Sequence, residues 1–283
     1  MSQRPLDEPL HFSSQEYDDF CAFLQSSCGI DLGHNKQYLV ATRVRRIMVS
    51  LQLTKLAQLT ELIKKVDQRQ VRQSVIDAMT TNETFWFRDN YPFEYFGNKL
   101  LPRLQAQKPG NTIKIWSAAC SYGQEPYSLS MVVEEFNKRP GIKPLAVDIL
   151  ATDLSSAVLE HARTGVYDRI SITRGLTTER KVQFFEAVDE DNWRLKSNVK
   201  HRVQFRPLNL QDSFYLLGKF DVIFCRNVLI YFSQELKTEI LRKLHGQLNP
   251  GGFLFLGSSE GLTGVADLFE MVDCAPGLAY KAV

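Results

Sequence analysis

Four short stretches of this chain carry residue types suited to chemistry as well as packing. The first runs Ile113-Lys-Ile-Trp-Ser-Ala-Ala-Cys-Ser-Tyr-Gly-Gln-Glu-Pro-Tyr127. An apolar run enters a turn of small residues (Ser117, Ala118, Ala119, Cys120, Ser121, Gly123), and Pro126 suits a first helical turn. Small residues beyond a strand let the backbone approach a ligand, although the same letters also spell an ordinary strand-to-helix turn. The stretch lacks G-x-G-x-x-G, which a dinucleotide pyrophosphate would want, so it favours a ligand without phosphates. The second stretch, Leu150-Ala-Thr-Asp153, ends an apolar run on a carboxylate. Such a group can accept hydrogen bonds from both ribose hydroxyls; equally, Asp153 or Ser155 can cap the next helix. Taken together, the two stretches favour a nucleoside site. In the third, Phe220-Asp-Val-Ile-Phe-Cys-Arg-Asn227, two polar residues interrupt apolar ones at a strand end on the same crevice. In the fourth, Thr80-Thr-Asn-Glu-Thr-Phe-Trp-Phe-Arg-Asp89, the aromatic residues can dock on a core. Asn82, Thr84 and Arg88 have no evident packing role. Asn82 can also cap a helix, and Arg88 can also form a surface ion pair worth about 0–1 kcal/mol.

Other chemistries are disfavoured. The five cysteines are odd in number and have no C-x-x-C pair, against a disulfide framework or a zinc ribbon. The five histidines fall outside the four stretches, so surface or structural roles are expected and no metal. A net charge of +2 predicts no nucleic-acid partner from bulk charge. Hydrophobic residues at 44% and charged residues at 23% exclude wholesale disorder. The apolar run from Val222 to Phe232 is short and broken by Arg226, so no membrane span is expected. The opening MSQRPLDEPLHF has no apolar signal core. A reduced, cytoplasmic protein is the expectation.

The elements that must position these residues divide the 283-residue chain. At roughly 150 residues per domain, about two domains are expected. Residues 1–80 read as helices. Ser13 or Ser14 before Glu16 is a capping signal, and Tyr17, Phe20, Phe23 and Leu24 follow at helical spacing. Three further helical patterns carry Val40/Val44/Ile47/Met48/Leu51, Leu56/Leu59/Leu62/Ile63 and Val71/Val75/Ile76/Met79. From about residue 111, strand-like runs (112–118, 147–152, 202–207, 220–225, 252–256) alternate with helical patterns (125–136, 155–163, 234–248). That alternation implies an α/β domain with a helix-covered parallel sheet. A terminal hairpin over 269–283 is expected. Residues 165–199 are polar, without a clear period, and read as an insertion.

The segments TTNETFWFRD, WSAACSYGQEPYSLSM, ATDLSSAVLEHARTGVY, FDVIFCRNVLIYF and LNPGGFLFLGSSE, in this order, resemble the chemotaxis receptor methyltransferases, the CheR family. The resemblance runs from about Tyr17 to Val283. It implies an N-terminal all-α receptor-interacting domain (1–80) and a linker contributing to the active site (81–110). A Rossmann-like S-adenosylmethionine-dependent methyltransferase domain (111–283) follows, with an inserted small β-subdomain (165–199). It implies methyl transfer from S-adenosylmethionine to glutamate side chains on chemoreceptor cytoplasmic helices, giving methyl esters and S-adenosylhomocysteine. By motif, Asn82, Thr84 and Arg88 would contact the cofactor or reacting region, and Glu125 would lie near its methionine moiety. Asp153 would hold the ribose, Asn209 and Leu210 would lie near the adenine, and Asn227 and Val228 near the reactive part. Arg88 and Tyr231 would orient the acceptor carboxylate as the catalytic pair.

That chemistry needs few residues. A glutamate with a reference pKa near 4.3 is already ionised at neutral pH and needs no general base. Alignment can contribute roughly 7–11 kcal/mol. An arginine and a tyrosine hydroxyl can hold a carboxylate by charge-assisted hydrogen bonds, but too firm a grip would stabilise the ground state. Positioning residues are therefore expected, and no Ser/His/Asp machinery. Cys120 and Cys225 lie in site motifs, so thiol modification is expected to block the crevice without either being a nucleophile.

Between Lys36 and Arg72 the charged residues are mostly basic. Lys36, Arg43 and Arg46 are expected on one helical face, either simply solvated or steering a glutamate-bearing receptor helix. The segment Glu186–Val199 has no glycine, whereas relatives that grip a receptor's C-terminal peptide carry a glycine-containing loop; no peptide tether is expected, and a monomer is. The alternative is a non-catalytic S-adenosylmethionine-binding adaptor or sensor of the same fold. The joint presence of Arg88, Asp153, Asn227 and Tyr231 counts against it. A nicotinamide enzyme lacks its glycine fingerprint, and a nucleic-acid methyltransferase lacks the charge balance.

Overall fold

The computed structural model describes residues 12–283; the opening segment on which the signal expectation rests lies outside them. The chain forms two compact units. One runs to Thr81 and takes in Tyr231–Leu236; the other comprises Asn82–Ile230 and Lys237–Val283.

The first unit holds helices α1 (Ser14–Cys28), α2 (Gln37–Ser50), α3 (Leu56–Lys64) and α4 (Arg69–Met79). The capping box forms at Ser13: its hydroxyl accepts from Glu16 N–H and the Glu16 carboxylate accepts from Ser13 N–H at 2.9 Å. The expected stripes are buried at Tyr17, Phe20, Leu24, Val40, Val44, Met48, Leu59, Ile63, Val75 and Ile76. Ile47, Leu51 and Leu62 are half-buried at the edges of these stripes.

The second unit contains helices α5 (Tyr91–Tyr95), α6 (Leu101–Gln107), α7 (Gln124–Asn137), α8 (Ser156–Thr164), α9 (Arg169–Thr173), α10 (Thr178–Phe184), α11 (Ser197–Lys200) and most of α12 (Gln234–Gln247). Its strands are β1 (Ile113–Ala118), β2 (Val147–Asp153), β3 (Val166–Asp168), β4 (Phe185–Ala187), β5 (Asn192–Leu195), β6 (Val203–Pro207), β7 (Phe220–Cys225), β8 (Leu248–Leu256), β9 (Phe269–Cys274) and β10 (Gly277–Ala282). Seven strands form one sheet in the order β6-β2-β1-β7-β8-β10-β9. The first five are parallel; β10 and β9 add antiparallel as the terminal hairpin. The fold thus comprises an all-α unit and a Rossmann-like α/β unit, as the sequence implies. Every residue of β7 is buried, as a central parallel strand covered on both faces requires. Phe224 on that strand stacks on Phe255 at 4.5 Å and meets Phe93 and Phe96 edge or face within 6.2 Å.

The polar insertion folds as a three-stranded antiparallel sheet, β3-β5-β4, with the short helices α9 and α10. Its lack of period follows from strands of three or four residues, too short to show alternation. One element has no counterpart in the sequence reading. Residues 91–107 form a continuous helix with a π segment at Phe96–Leu100. Pro92 sits in the first turn, where no N–H is needed, and Pro102 falls inside the helix immediately after the π segment, where the hydrogen-bond pattern is already shifted.

Candidate active site

The sheet order reverses between β1 and β7, and in open α/β sheets ligands bind beyond the strand ends at such a switch point. Three of the four chemistry-bearing stretches end there. After β1 the chain turns through Ala119 (φ 60°), Ser121 (φ 50°) and Gly123 (φ 91°) before α7. Two L-residues in the left-handed region mark a turn held by its surroundings. Asp153, at the end of β2, supplies part of that hold. Its Oδ2 accepts from Ser121 N–H at 2.8 Å and its Oδ1 from Ser155 N–H at 2.9 Å. Asp153 therefore anchors the β1–α7 turn, while Ser155 caps α8 with its own hydroxyl. The Asp153 carbonyl also accepts from Leu208 N–H at 3.0 Å, which brings the Asn209–Leu210 loop beside it. Asn209 is half-buried and turns its amide oxygen to Gln211 N–H; Leu210 is buried.

Glu125 opens α7 with its side chain only 13% exposed. Ser117 Oγ donates to its Oε1 at 2.8 Å and Arg226 Nη1 to its Oε2 at 3.3 Å. Burial pushes the Glu125 carboxyl above its ordinary value, and Arg226 is the chief opposing influence. Arg226 follows β7 with its side chain 1% exposed, and Nη2 donates to Asp89 Oδ2 at 2.6 Å and to the Arg88 carbonyl at 3.0 Å. Among the described residues two buried side-chain atoms lack a hydrogen-bond partner, Gln124 Oε1 and Arg226 Nε. Both belong to residues flanking Glu125, one in sequence and one in space.

The fourth stretch, Thr80–Asp89, joins this cluster by docking. Ser121 Oγ donates to the Asn82 carbonyl at 2.8 Å, Trp86 N–H to Arg174 O at 3.2 Å, and Phe87 N–H to Ser128 Oγ at 3.1 Å. Trp86 and Phe87 are buried, with Trp86 edge-on to Tyr167 and Phe185. The packing reading of the aromatic residues is met, and they seat the segment that carries Arg88. The Arg88 guanidinium donates to Glu83 O at 3.2 Å and lies over Phe85. Thr84 is half-buried in the same segment.

Beyond Arg226 the chain turns at Asn227 (φ 58°), and the sequence reading missed what holds it. Glu260 Oε2 accepts from the N–H groups of Asn227 and Gly257, both at 2.7 Å. Its Oε1 accepts from Val228 N–H at 2.9 Å and Ile230 N–H at 3.3 Å. A β-carbon on Gly257 would lie 2.7 Å from both Asn227 Nδ2 and Glu260 Oε2, so only glycine fits. The one sequence signal is an acid three residues after a glycine in a polar loop.

The remaining expected residues lie in the first unit. Tyr231 is half-buried, and its carbonyl accepts from Asp31 N–H at 2.9 Å. Lys36 precedes α2 and is exposed, as is Arg46. Arg43 is engaged: it donates to the carbonyls of Met79 (2.6 Å) and Thr80 (3.0 Å) and to Thr81 Oγ1 (2.9 Å), closing the end of α4. The structure thus gathers Asn82, Arg88, Glu125, Asp153, Asn209, Leu210, Asn227 and Val228 around the strand ends of one unit.

Cys120 and Cys225 are fully buried, and burial pushes their thiols well above the ordinary range, reinforced by nearby carboxylates; this corrects the expectation that thiol modification blocks the crevice, because a reagent does not reach either sulfur in the folded chain. Among the described residues no group of three or more His, Cys, Asp or Glu is arranged to hold a metal ion. Nor is any helix of them long and apolar enough to cross a membrane.

Two family models match the chain. "CheR methyltransferase, all-alpha domain" covers residues 15–80, and "CheR methyltransferase, SAM binding domain" covers residues 82–278. Chemotaxis protein methyltransferase 1 of Vibrio cholerae is 52% identical over 270 residues, 95% of this chain and 97% of that protein. Chemotaxis protein methyltransferase 1 of Pseudomonas aeruginosa is 48% identical over 271 residues, 95% of this chain and 98% of that protein. The solved structure of PKMT2 from Rickettsia typhi in complex with AdoHcy aligns with TM-score 0.36 and 23% identity, over 62% of this chain and 26% of that one. On the family matches and the near full-length relatives, and in keeping with the polar cluster at the β1–β7 switch point, the chain belongs to the CheR methyltransferase family.

Proposed function

We propose that this enzyme transfers a methyl group from S-adenosylmethionine to glutamate side chains on the cytoplasmic helices of chemoreceptors, forming methyl esters. The observation that carries the reading is the polar cluster at the carboxyl ends of the central strands, where Asp153 at the end of β2, Glu125 after β1 and the Glu260-held turn after β7 come together. The residues present fit the cofactor: small residues line the β1–α7 turn, a carboxylate ends β2, and Gln124 Oε1 is buried without a partner.

S-adenosylmethionine, when bound, supplies an electrophilic methyl group on a sulfonium. Asp153 accepts from ribose hydroxyls, and Asn209 and Leu210 border the adenine. The Glu125 carboxylate pairs with the ammonium of the methionine moiety, and Asn82, Thr84, Asn227 and Val228 line the reacting end. Arg88 is assigned to hold the acceptor carboxylate, which attacks without a base because it is already ionised. Tyr231 is proposed for the same task by family motif, and exposed Lys36 and Arg46 for steering acidic receptor helices. Residues 81–110 are proposed as the linker that brings Asn82 to Arg88 into play, and the enzyme is proposed to act as a monomer in the cytoplasm.

The test is transfer of radiolabelled methyl groups to a receptor cytoplasmic fragment, with label released by mild base, alongside calorimetry with S-adenosylhomocysteine. Base-stable label, or no binding heat from folded protein, overturns the reading.

A further inference from the structure

Arg226 has no assigned part in binding or transfer, yet it ties together the loops that do. Its side chain is 1% exposed at the end of β7. One guanidinium reaches the Asp89 carboxylate, the Arg88 carbonyl and the Glu125 carboxylate. The turn it grips is unusual. Phe87, Asp89 and Asn90 have φ of 50°, 68° and 50°, and Arg88 lies among them. Such conformations persist in L-residues only where the surroundings over-determine them. Two of the three Arg226 contacts fall on that turn, and the third falls on the residue placed against the cofactor's ammonium. Lysine would keep the charge but not the planar fork that spans separate loops.

We infer that Arg226 is a positioning residue for methyl transfer: it sets the Arg88 turn and the Glu125 carboxylate in one register, so that the acceptor and cofactor ends of the site are aligned by a single buried guanidinium. This rests on the proposed function. It makes two separable demands, one geometric at Arg88 and one electrostatic at Glu125. The groups facing Glu125 are Arg226 at the end of β7, Arg88 in the Phe87–Asn90 turn, the Ser117 hydroxyl on β1, and the neutral thiols of Cys120 and Cys225. Burial already raises the Glu125 carboxyl, and removing its main cation raises it further. Arg226→Gln then needs higher pH to ionise Glu125, and affinity for an ammonium-bearing ligand falls as pH is lowered.

The experiment uses the full chain with S-adenosylhomocysteine as the binding probe and a chemoreceptor cytoplasmic fragment as acceptor. Calorimetry from pH 6 to 9 (about one unit per step) is expected to give wild type and Arg226→Lys similar, shallow profiles. Arg226→Gln is expected to lose affinity by up to about tenfold per pH unit below its Glu125 titration. In single-turnover assays Arg226→Lys, which keeps the cation beside Glu125 but not the planar fork, and Asp89→Asn, which removes the carboxylate that Arg226 grips on the Arg88 turn, are each expected to lose about tenfold or more in rate with little change in cofactor affinity. The Lys and Asn variants carry the test if the Gln variant does not fold. An Arg226→Gln profile matching wild type, or a wild-type rate in Arg226→Lys and Asp89→Asn, overturns the inference. Failure of the wild type to bind or transfer overturns the functional reading instead.

Discussion

Gly175 lies outside the site, yet its replacement by alanine should disable it. Gly175 has φ 85°, and a β-carbon there would sit 3.0 Å from the Trp86 carbonyl carbon, 3.2 Å from Phe85 Cδ2, and well inside contact with the Trp86 carbonyl oxygen. Carbon–oxygen contacts of about 3.3 Å are the ordinary limit, so relief requires a shift on the order of 1 Å. The carbonyl cannot move alone. The preceding N–H bonds Arg174 O and the next one bonds Ser128 Oγ. Two hydrogen bonds at about 1 kcal/mol each, plus about 1–2 kcal/mol for an L-residue in the left-handed region, give roughly 3–4 kcal/mol. The displaced segment ends in Arg88, and a misplacement of about 1 Å costs about a hundredfold in rate. All three tryptophans, Trp86, Trp116 and Trp193, lie in the second unit, so urea unfolding followed by fluorescence reports on that unit. Gly110→Ala is the control: φ is 79° and nothing lies within 4 Å, so it tests the backbone cost alone. If Gly175→Ala unfolds no earlier than Gly110→Ala and transfers methyl at the wild-type rate, the packing argument is wrong.

Asp153→Asn places an amide donor towards one of the two N–H groups its carboxylate now accepts from, and is expected to weaken S-adenosylhomocysteine binding by about tenfold or more, measured by calorimetry. Arg43→Ala is expected to destabilise the first unit by about 1–3 kcal/mol, read by thermal unfolding, because three contacts at the end of α4 are lost. Exposed Arg46→Glu should leave stability unchanged and slow receptor methylation at low salt; an equal rate would make that helix face merely solvated. Buried Cys120 and Cys225 should resist an aromatic disulfide reagent at pH 8 in the folded protein and react fully only on denaturation, so rapid labelling of either would contradict their depth.

Much of the architecture was legible because period and punctuation survive in one dimension. The runs ending at Ala118, Asp153 and Cys225 are strands within a residue or two of their expected bounds. The capping signal at Ser13 forms as read. The helix over 91–107 was not legible, since its prolines mark helix starts and breaks alike, and position within the turn decides which. Arg43 shared a charged stripe with Lys36 and Arg46, but only the packing of α2 against α4 brings it to the open carbonyls at the end of α4.

Hydrophobic period and motif order were enough, by themselves, to identify a helical segment followed by a Rossmann-like sheet, and to place the chemistry-bearing stretches at the ends of β1, β2 and β7. Those features are local, because a strand's exit residues are its sequence neighbours. The partners of the site residues had to wait for the folded chain. Glu260 closes on amides some thirty residues earlier, and Arg226 reaches residues more than a hundred positions away. Such pairings depend on strand order and on which buried groups are left needing a partner. No spacing rule encodes them, and only the assembled sheet brings the groups within bonding distance.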